Sequence, residues 1–199
     1  MRACNKVVGM SLRPEVMRAV RPVDFGDVVR AWSAARDPGL GSGPWTLRML
    51  QAADRQFGGQ WLDLQVRADA LLGVVLPRHA GEPCHGDRRE LVPAGGLTVD
   101  AAAEGLRAWD EAARAESREC WRRLDYATTE PFSRVILATG PLKDHPDYVD
   151  LPPGPGMFHL DGFHRLLGWA LARRLSNDAW VDVHLARPAS SPGLAADQG

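Results

Sequence analysis

The chain has 199 residues, of which 45% are hydrophobic and 25% charged, and its formal net charge at pH 7 is −1. These values are ordinary for a folded domain and exclude a chain that is disordered throughout, and the near-zero balance makes nucleic acid an unexpected partner. No apolar run is long enough to cross a membrane, and residues 1–10 lack a sustained signal-peptide core. The three widely spaced cysteines form neither a disulfide framework nor a CxxC metal motif, so we expect reduced thiols in a cytoplasmic protein.

The first half of the chain mixes strand and helix patterns. A strand followed by a turn and a short helix is predicted over 16–32, and a second helix over 46–55. Glycine and proline in 37–45 interrupt regular structure and predict a loop. Alternation followed by an apolar run predicts, over 61–76, a strand and then a helix or a buried strand, whereas the polar segment 77–90 predicts a loop.

The second half carries the longest helical pattern and the clearest strand–helix–strand order. One helix is predicted over 100–125, because apolar residues recur there at helical spacing. These residues are Ala102, Leu106, Trp109, Ala113, Cys120 and Leu124. Strands are predicted over 131–140, 157–160 and 179–186, with a helix over 163–175 between the last two, which is typical of an α/β fold.

The length and element order predict a single α/β domain over 1–186. We expect a helical insertion at about 46–126 within it. The tail 187–199 is rich in proline, serine, alanine and glycine, so it is predicted to be disordered.

Polar residues concentrate at the predicted strand–turn–helix over 157–175. Gly162 follows Asp161 at the turn, where glycine can adopt backbone angles that a side chain forbids. The first N–H groups of a helix attract anions; Arg165 adds a planar donor fork suited to phosphate, and His164 adds a donor or proton carrier. Asp161 suits a metal ion, a substrate hydroxyl or a bond to His164. The pattern predicts a phosphate-binding helix start, with the alternative that Asp161 is only an N-cap and the basic residues lie on an ordinary amphipathic surface.

The segment HLDGFHRLLGWALARR, followed by WVDVHL, resembles the ParB/sulfiredoxin superfamily over about 134–185. The resemblance implies a ParB/sulfiredoxin-like domain with a small mixed sheet and packed helices. Chromosome-partition members carry an arginine-rich box and a following helix-turn-helix domain, for which we expect no room here. Sulfiredoxins carry a nucleophilic cysteine where this chain has Phe163, so their chemistry is not implied. Free-serine kinases carry an Asp-Gly-His-His-Arg box, which DGFHR matches at four of five positions.

The resemblance to free-serine kinases implies a kinase that uses ATP or ADP with Mg²⁺ to phosphorylate a hydroxyl of a small metabolite such as a free amino acid. Asp161 and His164 would be catalytic, and Asp161 would also hold the metal. The nucleotide and phosphate would contact Gly162, Phe163, His164 and Arg165, and Trp169 on the same helix is a further candidate for nucleotide contact. A carboxylate base is also implied, and the sequence leaves open whether it is Asp24, Asp27 or Glu130.

Three other functions stay open at this point: a non-catalytic nucleotide-binding regulatory module, a ParB-like nuclease, and a metal-dependent oxygenase. The oxygenase would use two histidines and one carboxylate, namely His159, Asp161 and His164. A looser group in the predicted polar loop lacks a fourth ligand for zinc, and we predict no function for it. It consists of His79, Cys84 and His85.

Overall fold

The computed structural model describes residues 14–35, 43–79, 87–149, 151, 154, 156–176 and 178–189. The strands in these ranges are β1 (Met17–Val23), β2 (Trp61–Arg67), β3 (Val135–Ala138), β4 (Phe158–Asp161) and β5 (Trp180–Ala186). The α-helices are α1 (Phe25–Ala35), α2 (Gly43–Gln56), α3 (Val99–Arg107), α4 (Glu111–Ala115), α5 (Arg118–Thr129) and α6 (Phe163–Leu171). Within the described part of the chain, no helix is long and apolar enough to cross a membrane.

The five strands form one mixed sheet in the order β1-β2-β5-β3-β4. β2 pairs antiparallel with both β1 and β5, β3 pairs parallel with β5, and β4 pairs antiparallel with β3. The prediction of an α/β fold with a mixed sheet is confirmed. β2 lies inside 46–126, so this range is not helical throughout: it supplies the strand that joins β1 to the rest of the sheet.

The sheet separates two apolar layers. On one face, α3, α5 and α6 pack over a core that includes Leu64, Leu137 and Val183. On the other face, α1 and α2 pack over Trp61 and Ile136. Both layers form because β2, β3 and β5 carry apolar side chains at positions of both parities, as expected for strands covered on two sides.

The single helix predicted over 100–125 is wrong, because the chain forms three helices there. Asp110 adopts an extended conformation and its carboxylate accepts a hydrogen bond from the backbone N–H of Ala113, which starts α4 as a new helix. Ser117 is also non-helical, and its hydroxyl donates to the carbonyl of Arg89. Short polar side chains offer the backbone such alternatives to helical hydrogen bonds, and the apolar spacing continues across the breaks.

Several other boundaries move by a few residues. The strand predicted over 131–140 is limited to β3, and the helix predicted over 163–175 ends at Leu171. The predicted loop 37–45 overlaps the start of α2 at its last three residues, and 36–42 lie outside the described residues. Residues 80–86 also lie outside the described residues, and so do residues 190–199, which make up most of the predicted tail.

α6 lies directly against α5 because a glycine faces the contact. A Cβ atom on Gly168 would lie 2.6 Å from the carbonyl oxygen of Leu124 and 2.7 Å from the Cβ of Ala127. Only a residue without a side chain permits this approach. The contact fixes the position of α6, whose first turn carries the polar motif.

Candidate functional site

The turn predicted at the motif is present, and its glycine is required by the geometry. β4 ends at Asp161, and Gly162 has a φ of +100° immediately before α6. A Cβ atom at this position would lie 2.7 Å from Cγ1 of Val135. Both the left-handed backbone and the close contact therefore exclude side chains.

The guanidinium of Arg165 is held by the protein itself. Nη2 donates to Oδ2 of Asp161 at 2.5 Å, and Nη1 donates to Oγ of Ser133 at 2.9 Å and to the carbonyl of Arg134 at 2.7 Å. The carboxylate neutralises the charge that was predicted to hold a phosphate. In this arrangement Arg165 fixes the chain just before β3.

The other motif side chains point into the core. Phe163 is buried, and the Nε2 atom of His164 is enclosed and has no hydrogen-bond partner among the described residues. The ring of His164 lies 5.1 Å from that of His79, and burial holds the pKa of His164 well below its usual range. Trp169, predicted as a nucleotide contact, is 1% exposed and packs edge-on against Phe132. Phe163 and Trp169 are therefore enclosed in the core, whereas His164 is half-buried with its Nε2 enclosed.

The three candidate bases lie in two different parts of the fold. Asp24 and Asp27 lie at the start of α1, on the rim of a cleft of about 490 Å³ between α1 and the sheet. Glu130 lies instead at the end of α5, where its carbonyl accepts a hydrogen bond from Arg174. The lining of the cleft consists of Arg21, Pro22, Val23, Asp24, Asp27, Ala31, Asp63, Arg134 and His184.

The floor of the cleft is a polar row that runs across the sheet. The strand register places Arg21 opposite Asp63, Asp63 opposite His184, and His184 opposite Ile136. Ile136 is in turn opposite Asp161. Directly opposed residues share one face of a sheet, so Arg21, Asp63 and His184 share the face that forms the cleft floor. The pairing of β3 with β4 is irregular between Ile136 and Leu137, so Asp161 lies beyond a bulge from this row.

Asp63 links two arginines at the centre of this row. Its Oδ2 accepts from Nε of Arg21 at 3.0 Å and from Nη2 at 2.5 Å, and its Oδ1 accepts from Nη1 of Arg134. Burial raises the pKa of Asp63, but the hydrogen bonds from the two arginines, together with the charge of Arg134, outweigh it and hold the pKa below its usual value. The carboxylate is therefore ionised at neutral pH and balances one of the two guanidinium charges.

His184 is a neutral imidazole in this row. Its Nε2 lies 2.5 Å from Nη1 of Arg134, which can only donate, so Nε2 accepts and Nδ1 carries the hydrogen. Nδ1 is buried and has no hydrogen-bond partner among the described residues. Burial, followed by the charge of Arg134, lowers the pKa of His184 to about 4.

The walls of the cleft carry opposite charges. Asp24 and Asp27 stand on the α1 side, where Asp27 pairs with Arg30. Arg21 and Arg134 stand on the sheet side, where Asp63 and, 3.8 Å from Arg134, Asp182 offset part of their charge. Sequence reasoning found the two carboxylates and missed the floor. The signal that could have found it is a charged or titratable residue flanked by apolar residues within a strand, as with Asp63 in WLDLQVR and His184 in WVDVHL.

The triad predicted for an oxygenase does not assemble within the described ranges. Asp161 is turned toward Arg165, and both ring nitrogens of His159 are buried without a hydrogen-bond partner. The His/Cys/Asp/Glu group that does converge there is His79, Cys120 and His164. Cys84 and His85, predicted to be loop residues without function, lie outside the described residues.

Comparison with known proteins gives a family but no activity. No curated protein and no solved structure matches the chain. A family model does match residues 17–198, which include β1 to β5 and α1 to α6. The chain therefore belongs to the DUF6309 family, which is described as a family of unknown function.

Proposed function

We propose that the cleft between α1 and the sheet binds a small metabolite that carries both a positive and a negative group, such as a free amino acid. The observation that carries this proposal is the separation of charge across the cleft. Asp24 offers a carboxylate on one wall, and Arg21 and Arg134 offer guanidinium donors on the other. A zwitterion matches both walls at once, whereas a simple anion or cation would be repelled by one of them.

The dimensions of the cleft support a small ligand. Its volume of about 490 Å³ falls within the usual range for small-molecule sites, roughly 300 to 1,000 Å³. Its floor offers a buried imidazole, His184, whose Nδ1 has no protein partner within the described ranges. A ligand acceptor that reached this N–H would relieve the cost of leaving a polar group desolvated.

We propose a nucleotide-dependent kinase as the reaction class, with ATP or ADP as phosphoryl donor and a hydroxyl of the bound metabolite as acceptor. Asp24 supports the kinase proposal, because it is exposed and its side chain has no partner among the described residues. A free carboxylate beside the acceptor is suited to take the hydroxyl proton. Arg134, on the facing wall, is suited to the charge of the transferred group.

The kinase proposal requires a change at the motif. Asp161 does not fit a magnesium ion as it stands, because its Oδ2 is hydrogen-bonded to Arg165. A phosphate at the start of α6 would have to take the place of Asp161 on that guanidinium. In this proposal the Mg²⁺ ion enters bound to the phosphates of the nucleotide, as is usual for this ion.

Thermal-shift and calorimetric titrations test the binding step. The full chain is titrated with each of the amino acids and with ATP, ADP and CTP, with and without Mg²⁺. We expect at least one amino acid to raise the Tm, and Asp24→Asn to weaken its binding by about tenfold, the usual loss for one charge-assisted contact. Asp125→Asn, an exposed carboxylate on α5, is the matched control and should bind like the wild type.

Nucleotide consumption separates the two steps. A kinase consumes nucleotide only when the acceptor is present, and Asp24→Asn should lower its kcat. If the protein binds an amino acid but never consumes nucleotide, the proposal of a ligand-binding cleft stands and the kinase proposal fails. If the wild type responds to no amino acid and no nucleotide, both proposals fail.

A further inference from the structure

Two histidines and a cysteine converge on the opposite face of the sheet from the cleft. One ligand atom from each of His79, Cys120 and His164 lies within 4.8 Å of the other two. His79 Nε2 and Cys120 Sγ are already 3.3 Å apart. We infer that these three residues bind a transition-metal ion, with Zn²⁺ as the first candidate, independently of the proposed cleft function.

The type of ligand selects the class of metal. Imidazole nitrogen and thiolate sulfur suit zinc, copper and related ions, whereas magnesium and calcium prefer oxygen. Tetrahedral bonds of about 2.0 to 2.3 Å place neighbouring ligand atoms roughly 3.3 to 3.6 Å apart. The His79–Cys120 pair already has this spacing, and the other pairs, which lie within 4.8 Å, would close by about one ångström at most.

The unpartnered nitrogen of His164 is the second observation that points to a ligand. Its Nε2 is enclosed by protein, yet no hydrogen-bond partner for it exists among the described residues. A buried polar atom without a partner is costly, and native proteins keep few of them. Coordination through the Nε2 lone pair would satisfy this atom where the protein does not.

The three ligands come from separate parts of the fold, each held by contacts within the protein. Cys120 lies on α5 and is fully buried, and its backbone N–H donates to the carboxylate of Asp87 at 3.1 Å. The backbone N–H of His79 donates to the carbonyl of Val92 at 2.9 Å, and its ring packs 4.3 Å from that of Phe163. His164 lies in the first turn of α6. Ligands fixed in this way lose little freedom on coordination, which favours tight binding.

The consequence is a cross-link between elements that are distant in the chain. The ion would join the segment that contains His79 to α5 and α6. It would act within the core that packs against the sheet, so its removal should lower the stability of this layer. Three protein ligands also leave a fourth position on a tetrahedral ion for water or another donor.

Metal analysis and cobalt spectroscopy test the inference on the full chain, purified without a histidine tag. We expect one bound zinc per chain by mass spectrometry, and a higher Tm with zinc than after chelation. Cobalt titrated into the stripped protein should give the visible bands of tetrahedral Co²⁺ and a near-ultraviolet thiolate-to-cobalt charge-transfer band. Cys120→Ser should abolish the charge-transfer band, and His79→Gln should weaken cobalt binding at least tenfold.

A matched control and a second readout keep the result decisive. His145→Gln replaces a buried histidine that contacts Trp45 and Tyr148 instead, and it should leave metal content and spectrum unchanged. Circular dichroism identifies a variant that has not folded, and His79→Gln, at the partly exposed ligand, then replaces Cys120→Ser as the deciding variant. Wild-type protein that binds neither zinc nor cobalt overturns the inference. So does a charge-transfer band that persists in folded Cys120→Ser.

Discussion

His184 should make the stability of the fold depend on pH between neutrality and about pH 4. Burial, followed by the charge of Arg134, lowers the pKa of His184 from 6.5 to about 4 in the folded state, whereas the unfolded chain keeps a pKa near 6.5. Below pH 6.5 the unfolded state therefore binds a proton that the folded state does not. The stability associated with the neutral ring is present above pH 6.5 and is lost as the pH falls toward the folded pKa.

The size of the effect follows from the pKa difference. Each pH unit below 6.5 costs about 1.4 kcal/mol for one such group, so lowering the pH from about 7.5 to about 5.5 should remove about 1.4 kcal/mol. Asp63, Arg21, Arg134 and Asp182 are the charged groups that act on the ring. Asp63 stays ionised throughout this window because its own pKa is lowered.

Urea unfolding of wild type and His184→Gln at both pH values isolates this residue. Glutamine keeps an acceptor for Arg134 and does not titrate. Other histidines contribute equally to both proteins, and a chelator removes any contribution from bound metal. We expect the wild type to lose about 1.4 kcal/mol more than the variant on acidification. Equal losses in the two proteins would refute the assignment of His184 as a buried neutral ring.

Three further substitutions test the packing and the polar row, each by urea unfolding at neutral pH. Gly168→Ala should lose about 1 to 3 kcal/mol, because the new methyl group would meet the carbonyl of Leu124 at 2.6 Å and force α5 and α6 apart. Gly162→Ala should lose at least about 1 kcal/mol, since it combines a left-handed backbone with a contact to Val135. Asp63→Asn should lose about 2 kcal/mol, because it removes the negative charge to which both arginines donate. A variant that unfolds with the same free energy as the wild type would contradict the role given to the corresponding contact.

Local patterns predicted the elements better than their arrangement. Alternation and apolar spacing identified the segments that form β1, β2 and α1, because these signals depend on neighbours only a few residues away. The pairing of β2 with β5 joins residues more than 110 positions apart, such as Leu64 and Val183, and no local pattern encodes it. The prediction placed β2 within a helical insertion because local patterns do not show which strands pair. The helix predicted over 100–125 failed for the opposite reason: its apolar spacing continues through two breaks that capping residues create.

The candidate site was predicted in part. The motif turn and the glycine at position 162 follow from sequence, because a left-handed residue between a strand and a helix favours glycine. Asp24 and Asp27 were nominated as candidate bases, and both lie on the cleft. The floor was not predicted, because Asp63 and His184 face each other only after β2 and β5 have paired. The convergence of His79, Cys120 and His164 was not predicted for the same reason, because the three residues come from separate segments.

The DGFHR segment gains a different interpretation from the geometry of its helix. Successive residues on an α-helix point about 100° apart, so adjacent side chains at a helix start can face different surroundings. His164 turns toward His79 and Cys120, whereas Arg165 turns toward Asp161 and the chain before β3. Because Arg165 binds the carbonyl of the residue whose guanidinium reaches Asp63, one turn of α6 supports both the cysteine–histidine cluster and the polar cleft. The motif therefore connects the cysteine–histidine cluster with the polar cleft, which lie on opposite faces of the sheet. A comparison of the motif sequence alone would assign the motif to only one of them.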